Sequence, residues 1–136
     1  SNSGYRVNVE NSDKIAFDII KNSEIFGVNH NDIILASFVA LGKNSDNFSL
    51  SDWVRFKEYL TDEDLIAVKK LSVILKIAEA LDVTGFGNVT DISCDILGDS
   101  VIMKTIVKED ASFEIIYAML CGSEFKKAFG KNLEVL

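Results

Sequence analysis

Residues 68–87 read "VKKLSVILKIAEALDVTGFG". Through residue 82 the stretch is apolar apart from Lys69, Lys70, Ser72, Lys76, Glu79 and Asp82. At 100° per residue, Lys69, Ser72, Lys76 and Glu79 fall within an arc of about 80°, and Asp82 lies roughly 60° further round. Leu71, Val73, Ile74, Leu75, Ile77, Ala78, Ala80 and Leu81 take most of the remaining circumference. Such a helix needs neighbours on nearly every side, so it reads as the central helix of a domain with a narrow solvated stripe. A competing reading puts Glu79 and Asp82 in a cleft as metal or phosphate-site residues. A divalent ion there would require more oxygen or imidazole ligands, which spacing alone does not identify.

Upstream of this stretch, Thr61 is a cap candidate, and Asp62, Glu63 and Asp64 suit the positive end of a helix dipole. The spacing therefore predicts one helix from about residue 62 to about residue 83, stopped by "TGFGN". Three further helices are expected before it. The first covers residues 11–22, capped by Asn11, Ser12 or Asp13, with Ile15, Ala16, Ile19 and Ile20 on one face. The second is "IILASFVALGK", capped by Asn31 or Asp32, and the third is "DWVRFKEYL" after Ser51. Beyond residue 85 the texture changes. "VTDISCDIL" and "VIMKTIVK" alternate, are rich in β-branched residues and flank "GD", which signals a two-strand hairpin. One helix over about 112–129, then Gly130 and a third short strand in "NLEVL", complete the reading. The expected class is α+β and mostly helical, with a helical unit over 1–86 and a small α/β subdomain over 87–136. In the latter, a small antiparallel hairpin or three-strand sheet carries one helix.

The chain has 136 residues, 48% of them hydrophobic, enough for a sizeable core. Its net charge of −7 weighs against sequence-independent DNA binding, which needs basic patches to displace phosphate counterions. Cys94 and Cys121 have no metal-ligand or CxxC spacing, and two ordinary thiols suit a reduced, cytoplasmic setting. No apolar run reaches membrane-spanning length, and "SNSGYR" lacks the features of a signal peptide. Ser1 and Asn2 look like a protease scar, so the chain is expected to be a piece of a longer protein.

The stretch "VKKLSVILKIAEALDVT" resembles the apolar helix signature in the C-terminal half of the Ppx/GppA family of exopolyphosphatases and guanosine pentaphosphate phosphohydrolases. Three other blocks resemble segments of that family in the same order: "GYRVNVENSDKIAFDIIKNSEIFG", "HNDIILASFVALGKN" and "FKKAFGKNLEV". Together they cover nearly the whole chain. The resemblance implies a parent protein whose N-terminal ATPase-fold domains hold the catalytic carboxylates and Mg²⁺. This chain would be the C-terminal part: a truncated HD-like helical bundle followed by the α/β subdomain.

Departures from the family pattern shape what is carried over. Ser12, Asp13, Lys14 and Ile15 stand where the family often has histidines, and Gly42 stands where it has another. His30, the only histidine, falls in a predicted turn outside that cluster and reads as a surface residue. Glu79 and Asp82 match the family's two acids but lack imidazole partners. They and Asp13 are therefore weak metal candidates, and no catalytic residue is assigned in this chain. Lys76 matches a family arginine, and Lys43 falls at a basic position. With Lys69, and with Lys70 as a further neighbour, they are the phosphate-binding candidates, facing polyphosphate or guanosine pentaphosphate in a groove shared with the N-terminal domains. The competing view is that these lysines only keep the surface soluble.

The function implied is that of an accessory domain, substrate-positioning or regulatory, with no activity alone. An alternative is a degenerate HD-like module for interaction with a partner or for homodimerisation, using apolar residues such as Phe48, Trp53, Phe56 and Phe86. A third reading is a standalone metal-dependent nucleotide phosphohydrolase built on Asp13, Glu79 and Asp82.

Overall fold

A computed structural model of the chain describes residues 3–20 and 61–136, with side chains described from residue 11 onward. The helices expected over "IILASFVALGK" and "DWVRFKEYL", and Lys43, His30, Phe48, Trp53 and Phe56, lie outside the described residues. The described elements run in the order α1 (Ser3–Ile20), α2 (Asp62–Ala80), β1 (Val89–Leu97), β2 (Ser100–Val107), α3 (Ser112–Met119), α4 (Gly122–Phe129) and β3 (Asn132–Val135). The fold is α+β.

Helix α2 starts as its sequence predicts. Thr61 accepts from the Asp64 backbone N–H through its hydroxyl (3.1 Å), and the Asp64 carboxylate accepts from the Thr61 N–H (3.0 Å). This reciprocal box satisfies two of the backbone donors that a helix start leaves without partners. Leu71, Ile74, Ile77 and Leu81 are fully buried, and Ala67, Val68, Val73 and Ala78 join them in the core. Lys69, Ser72, Lys76 and Glu79 are exposed, so the narrow polar stripe is real. The helix packs against α1, α3 and α4.

Helix α1 begins upstream of the expected start, at Ser3. Asn11, Ser12 and Asp13 lie inside it and cap nothing; the Asn11 amide instead donates to the Asp82 carboxylate across the α1–α2 contact (2.5 Å). A cap-competent residue is only a candidate, and here a tertiary partner takes its side chain. Ile15, Ala16 and Ile19 bury the face that the spacing assigns to the core.

Strands β1 and β2 form the predicted hairpin, pairing Leu97 with Ser100 around Gly98 and Asp99. Gly98 has φ +58°, and among the described residues no non-glycine residue has positive φ. That suits the hairpin turns that place glycine first. At the far end a bulge shifts the register between Val89 and Asp91. The Thr90 carbonyl there accepts from Lys14 of α1 (2.5 Å), while its hydroxyl donates to the Ile106 carbonyl (3.1 Å).

Strand β3 pairs with β2 in parallel, making the sheet mixed, in the order β1-β2-β3. A parallel neighbour needs a long crossover, and residues 108–131 supply it with two helices. The single helix expected over 112–129 is thus a correction: it breaks into α3 and α4 at Leu120 and Cys121. The Cys121 N–H turns to the Ala118 carbonyl, three residues back, and Gly122 opens α4. Glycine at that point weakens helix continuation. The buried residues Glu114, Ala118, Cys121 and Phe125 recur at intervals of three and four, so the pattern alone reads as one helix.

One cluster of buried side chains joins Ile15 and Ile19 of α1, Leu71, Ile74 and Ile77 of α2, Met103 of β2, Phe125 of α4 and Leu133 of β3. Among the described residues no helix is long and apolar enough to cross a membrane.

Gly130 ends α4 in the left-handed region, at φ 68° and ψ 17°, with its N–H on the Lys126 carbonyl. A Cβ added there would meet nothing within 4 Å, so a substitution is felt through the backbone alone. Gly130→Ala is expected to lower stability by ~1–2 kcal/mol, and Gly130→Asn by less because asparagine tolerates this conformation. Urea denaturation compares the two; equal losses would contradict the assignment.

Candidate functional site

The candidate phosphate contacts start on the exposed stripe of α2. Lys69 and Lys76 are two turns apart, on the same side of the helix. They are not equivalent. The Lys76 ammonium donates to both carboxylate oxygens of Glu124 on α4, at 2.7 and 3.0 Å. The hydrogen bond to Glu124, and then its charge, push the Lys76 ammonium up from its ordinary value. Lys70 lies over the Phe129 ring, 5.7 Å from its centre. Lys76 thus meets residue 124 and Lys70 meets residue 129, so α2 and α4 run antiparallel along their contact. Lys69 makes no ion pair among the described residues, and Lys43 lies outside them. The structure therefore places Lys69 and Lys76 on one stripe, with Lys76 already holding an internal carboxylate.

The acidic candidates lie about one turn beyond Lys76, with Glu79 and Asp82 at the C-terminal end of α2 and Asp13 on α1. Asp13 lies near enough to Glu79 for their charges to interact; partial burial, then the Glu79 carboxylate, push the Asp13 carboxyl up. The Asp82 carboxylate accepts from Asn11. Nearby, Lys14 faces the buried Asp18 carboxylate at 3.7 Å, one turn along α1. Among the described residues no three histidine, cysteine or carboxylate side chains are grouped to hold a metal ion.

Sequence reasoning missed a different carboxylate. Glu114, 1% exposed, occupies the first turn of α3. One of its oxygens accepts from the Thr84 hydroxyl (2.5 Å) and from the Asn88 amide (3.1 Å). Burial acts to raise the Glu114 carboxyl, yet the hydrogen bonds from Thr84, its own backbone N–H and Asn88 outweigh burial and the nearby Asp110, and hold it below its ordinary value. The positive end of α3 favours the same charge. This cluster fastens the turn after α2 to the start of α3. Its signal in the sequence is phase: Glu114 falls three residues after Ala111 and four before Ala118, both buried. The three sit together on the inner face of the helix.

Both thiols are free and buried. Burial, then Asp95, pushes Cys94 up to about 11, and burial, then Glu124, raises Cys121. A nucleophilic cysteine needs the opposite shift.

No protein-family model, curated protein or solved structure matches this chain.

Two predictions follow from these environments. A carboxyl held low in the folded state stabilises above the ordinary carboxylate range, and that contribution is lost as pH falls through the folded value. Asp13, held high, works the opposite way, its penalty easing with acid. Glu114→Gln should therefore flatten the loss of stability between about pH 6 and about pH 3, while Thr84→Val should lower stability near neutrality by ~1–3 kcal/mol. Parallel pH profiles for wild type and Glu114→Gln would contradict this. Separately, neither thiol should react with an aromatic disulfide reagent at neutral pH until denaturant is added; fast labelling of the native protein would show the thiols to be activated.

Proposed function

We propose that this chain is the C-terminal accessory part of an exopolyphosphatase-like phosphohydrolase of the Ppx/GppA kind. In this reading its helical portion is a degenerate HD-like bundle, and the α/β portion closes the protein. Bond cleavage belongs to N-terminal ATPase-fold domains, where Mg²⁺ would assist it. This chain contributes basic side chains that help seat polyphosphate or guanosine pentaphosphate, in a cytoplasmic protein. Four collinear blocks of sequence resemblance support the assignment, and the observation that carries it is the exposed Lys69–Lys76 stripe of α2.

The Glu124 carboxylate gives that reading a specific form. Lys76 already holds an oxyanion, so a phosphate would have to replace one. Glu124 would then act as a placeholder that keeps the lysine oriented and discriminates against weak anions. Polyphosphate bound this way is held by charge, so its affinity falls as salt rises.

Titration of the chain with fluorescently labelled polyphosphate at several salt concentrations tests this. Lys69→Ala and Lys76→Ala should each weaken binding roughly two- to fivefold, whereas Glu124→Gln should strengthen it. Absence of binding at low salt, or binding indifferent to all three substitutions, would remove the proposal.

A second reading, a module that works by contact with another protein surface, has one observation in its favour: the large apolar side chains exposed on α3.

A further inference from the structure

Two contacts fix how α2 and α4 lie alongside one another. Lys76 meets Glu124 at 2.7 Å, and Lys70 lies over the Phe129 ring. Six residues down α2 therefore match five residues up α4. On that scale residue 127 falls level with residues 72 and 73, between Lys69 and Lys76. Lys127 follows Glu124 by three residues, so the two stand about 60° apart on one flank of α4. That is the flank from which Glu124 reaches Lys76, while Cys121 and Phe125 take the far side of the helix into the core. Lys126 is turned about 160° from Glu124, away from this rim.

Lys69 and Lys76 are separated by roughly 10 Å along the axis of α2. With Lys127 between them on the facing helix, three exposed ammonium groups follow one another along the rim. Lys69 and Lys127 form no ion pair among the described residues. Other nearby lysines are engaged elsewhere: Lys70 lies over Phe129, and Lys131 donates to the Gly98 carbonyl at 3.5 Å. Glu124 is the acid of this interval. Glu79 stands one turn beyond Lys76, and Asp62, Glu63 and Asp64 come more than a turn before Lys69.

We infer that Lys127 is a third phosphate contact, and that a linear inorganic polyphosphate lies along this rim against Lys69, Lys127 and Lys76 in turn. The inference rests on the phosphate reading and deepens it by naming the substrate class. Three cations in a row match an anion whose charge repeats along its length. Guanosine pentaphosphate instead divides its phosphates between two sides of a ribose. A chain of net charge −7 repels a polyanion over most of its surface, so binding is confined to where lysines outnumber carboxylates. Lys126 and Lys127 both sit in the last turn of α4 and both complement its negative end. That shared role acts on helix stability and predicts no difference between them toward a ligand.

Titration of the full chain with fluorescently labelled long-chain polyphosphate, repeated over a range of salt, tests the inference. Lys127→Ala should weaken binding roughly two- to fivefold, as Lys69→Ala and Lys76→Ala do. It should also reduce the slope of log affinity against log salt by roughly 0.7. Lys127→Arg should keep the affinity, and Lys126→Ala should leave it unchanged. At equal total phosphate, unlabelled polyphosphate should displace the label roughly tenfold more effectively than guanosine pentaphosphate. Both α4 lysines are exposed, and circular dichroism confirms that each variant keeps its fold.

If Lys69→Ala and Lys76→Ala weaken binding but Lys127→Ala does not, the third contact is wrong and the phosphate reading stands. Equal losses for Lys126→Ala and Lys127→Ala mean a diffuse attraction and overturn the contact in the same way. Equal displacement by guanosine pentaphosphate overturns the substrate class. No binding by the unmodified chain at low salt removes the inference together with the reading beneath it.

Discussion

Helix α2 has too little polar surface to lie on the outside of anything. Its apolar residues occupy most of its circumference, so the fold must supply cover in several directions at once. Helix α1 comes from one side, and α3 with α4 from the others. The three-stranded sheet closes the cluster through Val101, Met103, Leu133 and Val135. Burying a large aliphatic side chain such as Ile77 contributes ~1.5–3 kcal/mol. Helices α1, α3 and α4 each gain stability from the surface they remove from water on this helix. The stripe that stays wet is what is left once that demand is met, and its lysines reach water and α4 for the same reason.

Where local chemistry decides, the sequence could be read directly. The cap at Thr61, the buried and exposed sides of α2, the hairpin around Gly98 and the α+β class all follow from signals that act within a few residues. Long-range partners are another matter. The four-residue β3 carries no mark of which direction it will run, because direction depends on the crossover and not on the strand. The break between α3 and α4 is hidden because the buried positions keep helical spacing through it. Asn11 looks like a cap until Asp82 is brought beside it. Among the site residues, the exposed position of Lys69 and Lys76 was legible from the helical period. That Lys76 grips Glu124 was not, since the two are 48 residues apart.

Glu114 and Glu124 illustrate two uses of a carboxylate in one small protein. At Glu114 the charge is withdrawn from water and given donors from a turn and a helix end, so it acts as a fastener. At Glu124 the carboxylate stays in water and holds a lysine that the phosphate reading requires for other work. The first arrangement is costly to break, because a buried group without partners is penalised. The second exchanges easily, because exposed ion pairs are weak. A site that must admit a ligand is better built from the second kind, and a joint that must not move from the first.

The contact between Asn11 and Asp82 spans 71 positions, and that of Lys14 with Thr90 spans 76. By contrast, the hairpin closes a two-residue loop, and α3 and α4 follow one another directly. Closing a long stretch of chain costs more conformational entropy than closing a short one, so contacts of high sequence separation tend to be made late as a protein folds. By this argument assembly of the described elements is expected to begin in the C-terminal half, with the hairpin closing and α2 meeting α3 and α4. Docking of α1 is expected after them. The same ordering run backwards makes α1 the element whose release exposes Ile15 and Ile19 while most of the sheet and its helices remain in place.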